Sequence, residues 1–233
     1  GLYLFRPDKN CERFNRTMAS VGIEHAMPYD VFLKALRLLV KNNEDYVPPF
    51  GKGAAYLRAR FVDPAGILGV KWSGVCLASF SLTPVGNYYP NGLKPIHCGL
   101  SEQPRALPII GSNKLAGNYG PSIVMKSAVI NVLNEKGLDV QDLLFTRVED
   151  QNKPVLERRL TEFASANISI IYEENGTTIL ATPNTNEALP GITRNSLLDL
   201  GASFGWRVDH TELRMSDLLR PGVEVLASGT AAV

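Results

Sequence analysis

The chain has 233 residues, of which 45% are hydrophobic and 20% are charged, a composition that fits a globular enzyme or binding protein and excludes a disordered chain or a coiled coil. Its formal net charge of +1 provides no overall attraction for nucleic acid or for an anionic membrane surface. The 3 cysteines are too few and too far apart for a disulfide framework or a zinc site, and no apolar run approaches the ~20 residues that span a bilayer. We therefore expect an intracellular protein, cytoplasmic or mitochondrial, without nucleic-acid, membrane or metal partners.

The first part of the chain alternates strand-like and helix-like patterns. Apolar residues between Phe32 and Val40 recur at helical spacing, so the helix that they form should pack this stripe against a core. Residues 56–62 alternate apolar and basic side chains, as in a strand with one polar face. The expected elements are a strand over residues 2–5 that leaves through a turn at 7–8, a helix from residue 10, a helix around residues 32–40, and adjacent strands over 56–62 and 75–82.

A cluster of turn-forming and aromatic residues at positions 83–92 predicts a connection between two domains. We place a small N-terminal domain at 1–85, an interdomain loop at 86–94 and a larger domain at 95–233. In the larger domain, Asn175-Gly176 predicts a hairpin turn, because both residues tolerate positive φ. Its other expected elements are helices over residues 119–133 and 194–204 and strands over residues 143–148, 168–172, 177–182 and 223–227. These elements predict an α+β or mixed α/β fold.

Lys114 precedes a glycine-containing turn that opens a helix, which alone is weak evidence for a catalytic lysine because most lysines are solvated surface charges. Further segments accompany it, namely residues 5–13 (FRPDKNCER), 56–58 (YLR), 114–122 (KLAGNYGPS), 161–167 (TEFASAN), 189–194 (LPGITR) and 228–231 (SGTA). In this order and at these separations, the segments resemble those of the fold type IV pyridoxal-phosphate enzymes, and among them the branched-chain amino acid aminotransferases.

The resemblance implies a two-domain fold, with a small α/β domain and a larger pseudo-barrel domain, and transamination of leucine, isoleucine and valine with 2-oxoglutarate. The cofactor would be pyridoxal 5′-phosphate. Lys114 would hold it covalently through the side-chain amine and would move the proton during catalysis. Glu162 would pair with the pyridine nitrogen and keep it protonated, and Tyr119 would contact the phenolic oxygen of the ring.

The phosphate of the cofactor would be bound where a turn opens a helix, because backbone N–H groups and the positive end of the helix dipole converge there. The resemblance assigns this role to Gly191, Ile192 and Thr193, with an arginine, Arg13, and a hydroxyl from Thr230. The implied substrate-binding residues are Tyr56, Arg58, Tyr88, Ser165 and the backbone of Ala231. Ser165 and Ala166 stand where threonine and methionine are usual in the family, and both changes bear on the shape of the pocket.

The implied partners are small amino acid and 2-oxo acid substrates and a second copy of the chain in a homodimer. Segments that precede and follow this sequence in the family are missing from it, so the chain is expected to be truncated at both ends. Other fold type IV enzymes stay open as alternatives: an aminodeoxychorismate lyase, a D-amino acid or amine aminotransferase, or an aminotransferase of secondary metabolism. Tyr56-Leu57-Arg58 argues against the lyase. A catalytically incompetent fragment is the alternative outside enzymes.

Overall fold

The computed structural model of the chain describes residues 2–69, 71–88, 92 and 94–230. The chain divides into two compact units, residues 1–92 and 93–233. This division does not decide the domain limits expected from the sequence, which remain predictions. Within the described residues, no helix combines the length and the apolar character needed to cross a membrane.

The first unit begins with two helices, α1 (Pro7–Ser20) and α2 (Tyr29–Lys41). Proline occupies the first turn of α1, where its missing N–H costs no helical hydrogen bond, so the helix begins earlier than the expected residue 10. The strand predicted over residues 2–5 is wrong, because these residues are in no described strand. An apolar run this short becomes a strand only against a partner edge, and the two described strands of this unit pair with each other.

These two strands are β1 (Ala54–Val62) and β2 (Leu77–Val85), which pair antiparallel with Leu57 opposite Leu82. The adjacent strands predicted from the sequence are therefore confirmed. The helices pack on this hairpin through phenylalanine rings: the Phe14 and Phe61 centroids are 5.5 Å apart, and those of Phe32 and Phe80 are 5.4 Å apart. This apolar cluster is the core of the first unit.

The second unit is built on a seven-stranded mixed sheet. Its strands run in the order β3-β4-β5-β6-β7-β8, and β9 also pairs with β6. The strands are β3 (His97–Leu100), β4 (Val140–Thr146), β5 (Leu160–Phe163), β6 (Asn167–Glu174), β7 (Thr177–Pro183), β8 (Arg207–Thr211) and β9 (Glu224–Ser228). The two helices are α3 (Tyr119–Glu135) and α4 (Ile192–Ser203).

Both helices of this unit connect parallel strands, α3 between β3 and β4 and α4 between β7 and β8. Parallel neighbours need such a crossover, because a short turn reverses the chain. The β6–β7 connection is the predicted hairpin turn, in which Asn175 and Gly176 have φ values of 51° and 74°. The fully buried residues Ile168, Ile170 and Ile179 place the core on these central strands.

Candidate active site

Lys114 and Tyr119 are in direct contact. The Lys114 Nζ atom donates a hydrogen bond of 2.6 Å to the Tyr119 hydroxyl and lies 5.1 Å from the centroid of its ring. Tyr119 is the first residue of α3, and a short 3-10 helix over Ala116–Asn118 connects it to the lysine. Asn118 is buried, and its amide donates to two backbone carbonyls of the preceding loop at 2.8 and 2.9 Å. These bonds fix the turn that places the amine beside the phenol.

Glu162 is a buried carboxylate that is held from three directions. It lies on β5 with only 4% of its surface exposed. Its Oε1 atom forms an ion pair with the buried guanidinium of Arg105 and accepts the backbone N–H of Leu189 at 3.0 Å. Its Oε2 atom accepts the side-chain amide of Asn167, also at 3.0 Å. Two segments distant in sequence and the neighbouring strand β6 therefore orient this carboxylate.

Burial raises the pKa of Glu162 to about 7, while the charge of Arg105, the N–H of Leu189 and the charge of Lys114 act in the opposite direction. The dominant cause is the removal of the carboxylate from water, which disfavours its charged form. A carboxyl group that titrates near neutral pH and lies in an ordered polar cluster is characteristic of functional sites. Glu162 can thus interact with a heteroaromatic nitrogen and share or balance its proton.

Helix α4 begins at a turn that matches the requirements of an anion site. Gly191 is the residue before the helix, followed by Ile192 and Thr193 in the first turn. The Thr193 hydroxyl is buried and has no hydrogen-bond partner among the described residues. A buried hydroxyl normally has a partner, so this one is suited to a ligand oxygen. Arg194 follows in the same turn, where burial lowers the pKa of its guanidinium and the charge of Glu162 opposes that shift.

Gly191 is required here for space. A Cβ atom at this position would lie 1.9 Å from the side-chain oxygen of Asn167. Asn167 also donates to the carbonyl oxygen of Leu189 at 2.7 Å and is the opposite partner of Ser228 on β9. The Ser228 hydroxyl, like that of Thr193, is buried without a partner among the described residues.

The turn between β5 and β6 carries Ser165. The Ser165 hydroxyl donates to Asp142 Oδ2 at 3.0 Å, and Lys126 lies 3.2 Å from the other oxygen of this fully buried aspartate. The hydroxyl hydrogen is therefore directed to Asp142 in this structure. A substrate carboxylate at Ser165 would have to compete with that bond.

The other predicted site residues lie elsewhere in the chain. Arg13, on α1, donates to the Asn10 side chain at 3.2 Å, and Arg58 stacks over the Tyr56 ring at 5.2 Å on β1. These residues and the exposed Tyr88 belong to the unit of residues 1–92, and their roles stay predictions. Thr230 is exposed near the end of the second unit, and Ala231 lies outside the described residues.

Sequence reasoning missed Arg105, Asn167 and Asp142. Arg105 falls in a loop without periodicity, so nothing in its neighbourhood separates it from a solvated surface arginine. Asn167 was inside a segment that carried the resemblance, but no pattern indicated its two bonds. Asp142 directly precedes the apolar residues Leu143, Leu144 and Phe145 on β4, and a charge beside a buried run was the one signal that could have been noticed.

The model of the family "Amino-transferase class IV" matches residues 123–232 of the chain. A branched-chain-amino-acid aminotransferase of Mycolicibacterium smegmatis is 31% identical over 242 aligned residues, which include 100% of this chain and 62% of the relative. Residues 123–232 are thus similar to the class IV aminotransferases, and the whole chain aligns with this relative. It spans about three fifths of the length of this relative.

Solved structures share the fold that the sequence resemblance implies for this chain. A T.th. branched-chain amino acid aminotransferase with pyridoxamine 5′-phosphate is similar with a TM-score of 0.76 and 21% identity, covering 98% of this chain and 68% of that one. A protein of Legionella pneumophila described as a 4-amino-4-deoxychorismate lyase gives a TM-score of 0.75 and 20% identity, covering 97% and 74%. At these identities the likeness shows the fold, which an aminotransferase and a lyase share.

Proposed function

We propose that this chain binds pyridoxal 5′-phosphate at Lys114 and serves transamination between a branched-chain L-amino acid and 2-oxoglutarate. The observation that carries the proposal is the cluster in the second unit, where a lysine amine in contact with a phenol lies near a buried carboxylate that titrates near neutral pH. The M. smegmatis relative is named for branched-chain substrates and the T.th. structure was solved with pyridoxamine phosphate, and both facts support the choice.

The residues of the second unit fit the three parts of pyridoxal phosphate. Its ring nitrogen requires an acidic partner, which Glu162 provides from a position shielded from water. Its phosphate requires convergent donors, and α4 offers backbone N–H groups, the dipole of its first turn and the Thr193 hydroxyl, which has no partner within the described part of the chain. Its aldehyde requires a primary amine, which Lys114 supplies beside the Tyr119 hydroxyl. The sequence resemblance alone adds Arg13 and Thr230 to the proposed phosphate ligands.

When bound, pyridoxal phosphate supplies an electron sink for the negative charge that develops at the substrate Cα. Lys114 Nζ would hold the cofactor and would serve as the base that accepts the proton from the substrate Cα. Glu162 would hold the proton on the ring nitrogen, and its three donors, Arg105, the Leu189 N–H and Asn167, fix the orientation of the carboxylate. Tyr119 orients the lysine amine through its hydroxyl. The proposed substrate contacts are Tyr56, Arg58, Tyr88, Ser165 and the Ala231 backbone.

A capture experiment tests the cofactor site. The purified chain is mixed with pyridoxal phosphate, reduced with borohydride and mapped by peptide mass spectrometry. We expect the label on Lys114, and its loss in Lys114→Ala. Lys136→Ala is the matched control, because Lys136 is an exposed lysine at the end of α3, and it should retain the label. Labelling that survives in Lys114→Ala would refute the assignment.

A lyase of the same fold is the second candidate, favoured by the likeness to the Legionella structure. The two activities differ in their half-reactions. A transaminase loaded with cofactor converts it to the pyridoxamine form when only L-leucine is added, with a loss of visible absorbance and release of a 2-oxo acid. A lyase has no need of that exchange, so an unchanged spectrum with leucine, isoleucine and valine would favour the second candidate.

The proposal includes a homodimer and an intracellular location, both of which rest on the sequence resemblance and composition. Light scattering of the purified chain measures its oligomeric state. A mass of one chain across the micromolar range would contradict it.

A further inference from the structure

Arg105 is a buried cation whose role neither the sequence nor the family comparison assigns. Only 5% of its surface is exposed, and its guanidinium forms the ion pair with Glu162 Oε1. One Nη atom also lies 3.5 Å from the Gly111 carbonyl oxygen, and the Nε atom has no partner among the described residues. Burying an arginine with incomplete hydrogen bonding is costly, so packing alone does not account for this residue.

The loop that carries Arg105 is fixed on both sides of the site. It covers residues 101–115, between β3 and the lysine turn. A Cβ atom at Gly111 would lie 2.1 Å from the carbonyl oxygen of Glu187, so the loop approaches that backbone closely. The Ile109 N–H donates to the Asn186 carbonyl oxygen at 3.1 Å. The segment beyond Glu187 supplies the Leu189 N–H. The two donors to Glu162 Oε1, Arg105 and this N–H, therefore come from two segments that are packed against each other.

The charged groups that act on Glu162 come from two elements, the loop with Arg105 and Lys114 and the first turn of α4 with Arg194. Lys114 is exposed and, under the proposed function, gives its amine to the cofactor. Arg194 is directed to the side chain of Asn195, to which it donates at 2.9 and 3.1 Å. Arg105 alone among them contacts the carboxylate, and a guanidinium stays charged throughout the accessible pH range.

We propose that Arg105 is a positioning residue for Glu162: it occupies one carboxylate oxygen and keeps the group ionised, so that the second oxygen is presented to the ring nitrogen of the cofactor. This inference rests on the proposed function for the identity of that ligand. Each carboxylate oxygen has two acceptor positions. Those of Oε1 are filled by Arg105 and the Leu189 N–H, whereas Oε2 accepts only Asn167 among the described residues. One acceptor position on Oε2 is thus left for an N–H of the ligand.

The test titrates Glu162 in the chain without cofactor, by carbon NMR of side chains labelled at the glutamate carboxyl carbon, with the resonance identified by its loss in Glu162→Gln. We expect Arg105→Gln to raise the titration midpoint by at least about one pH unit, a tenfold smaller ratio of ionised to protonated carboxyl at a given pH. Arg105→Lys, which retains the charge without the planar fork, should raise it less. An unmoved midpoint in both variants would overturn the inference, since a purely structural arginine would leave the titration in place.

Two further measurements separate the inference from folding defects and from the proposed function. If Arg105→Gln does not fold, the double variant with Glu162→Gln should, because the buried carboxylate that lost its partner is gone. Failure of the double variant to fold would refute a role that acts through Glu162. Borohydride capture on the unsubstituted chain tests the ligand: no label on Lys114 overturns the proposed function, while a shifted midpoint still supports the link between Arg105 and Glu162.

Discussion

Substitution of Gly191 by alanine should break the link between the anion turn and the buried carboxylate. The new Cβ atom would lie 1.9 Å from the Asn167 side-chain oxygen, so the amide must move. It cannot move without losing its bond to Glu162 Oε2, at 3.0 Å, and its bond to the Leu189 carbonyl oxygen, at 2.7 Å. A hydrogen bond to a charged group contributes about 1.5–3 kcal/mol and a neutral one about 0.5–1.5 kcal/mol. The expected loss is therefore about 2–4.5 kcal/mol.

Urea unfolding monitored by circular dichroism gives this loss directly, as the change in the extrapolated free energy of unfolding. Gly117→Ala is the matched control, because a Cβ atom at Gly117 meets nothing within 4 Å, and it should change stability by less than about 0.5 kcal/mol. In an Asn167→Ala background the clash disappears, so the double variant should be little less stable than Asn167→Ala alone. A Gly191→Ala loss below about 1 kcal/mol, or losses that simply add in the double variant, would refute the reasoning.

Three further substitutions test other contacts. Arg159, and after it Lys153, bond the fully buried carboxyl of Asp150 and hold its pKa below its usual range. Asp150→Asn should therefore lower the free energy of unfolding by about 3 kcal/mol at neutral pH. In denaturation series at decreasing pH, the difference from the unsubstituted chain should shrink below about pH 4, where the carboxyl becomes protonated. Tyr119→Phe removes the acceptor of the Lys114 amine and should weaken pyridoxal phosphate binding about 2- to 10-fold in a fluorescence titration while Lys114 is still labelled; unchanged affinity would argue against this contact. Ser165 is a proposed substrate contact whose hydroxyl donates to Asp142 in this structure, so Ser165→Ala should raise the KM for leucine by about 3- to 10-fold, and an unchanged KM would show that the hydrogen stays with Asp142.

Local patterns predicted most of the secondary structure. The apolar stripe from Phe32 to Val40 lies on α2, with Phe32 and Leu36 buried, and Asn175-Gly176 forms the expected turn. Both were predictable because the spacing of apolar residues and the conformational preferences of turn residues depend only on neighbouring positions. The short strands β3, β5 and β8 were not predicted. Each has only 4 or 5 residues, and each is a strand because neighbouring strands of the sheet pair with it.

The site itself was predictable only where a recognisable segment carried it. Lys114 and Glu162 were assigned from such segments, and the structure places them within electrostatic reach of each other. Arg105 is 57 positions from Glu162 in the sequence, and no local rule connects a loop arginine to a distant carboxylate. Pairings of this kind are decided by the packing of loops on strands, which the sequence does not express as a pattern.

Asn167 connects two parts of the site that the proposed function requires to act together. Its amide holds the Glu162 carboxylate and the Leu189 backbone, and its oxygen occupies the space that glycine leaves at the start of α4. The group that would meet the ring nitrogen and the turn that would bind the phosphate therefore share one buried side chain. The distance between those two ends of a ligand is set by covalent bonds, so the protein must hold the matching distance rigidly. A single amide bonded to both sides, with no room for a Cβ atom at Gly191, provides that rigidity more directly than two separately anchored groups would.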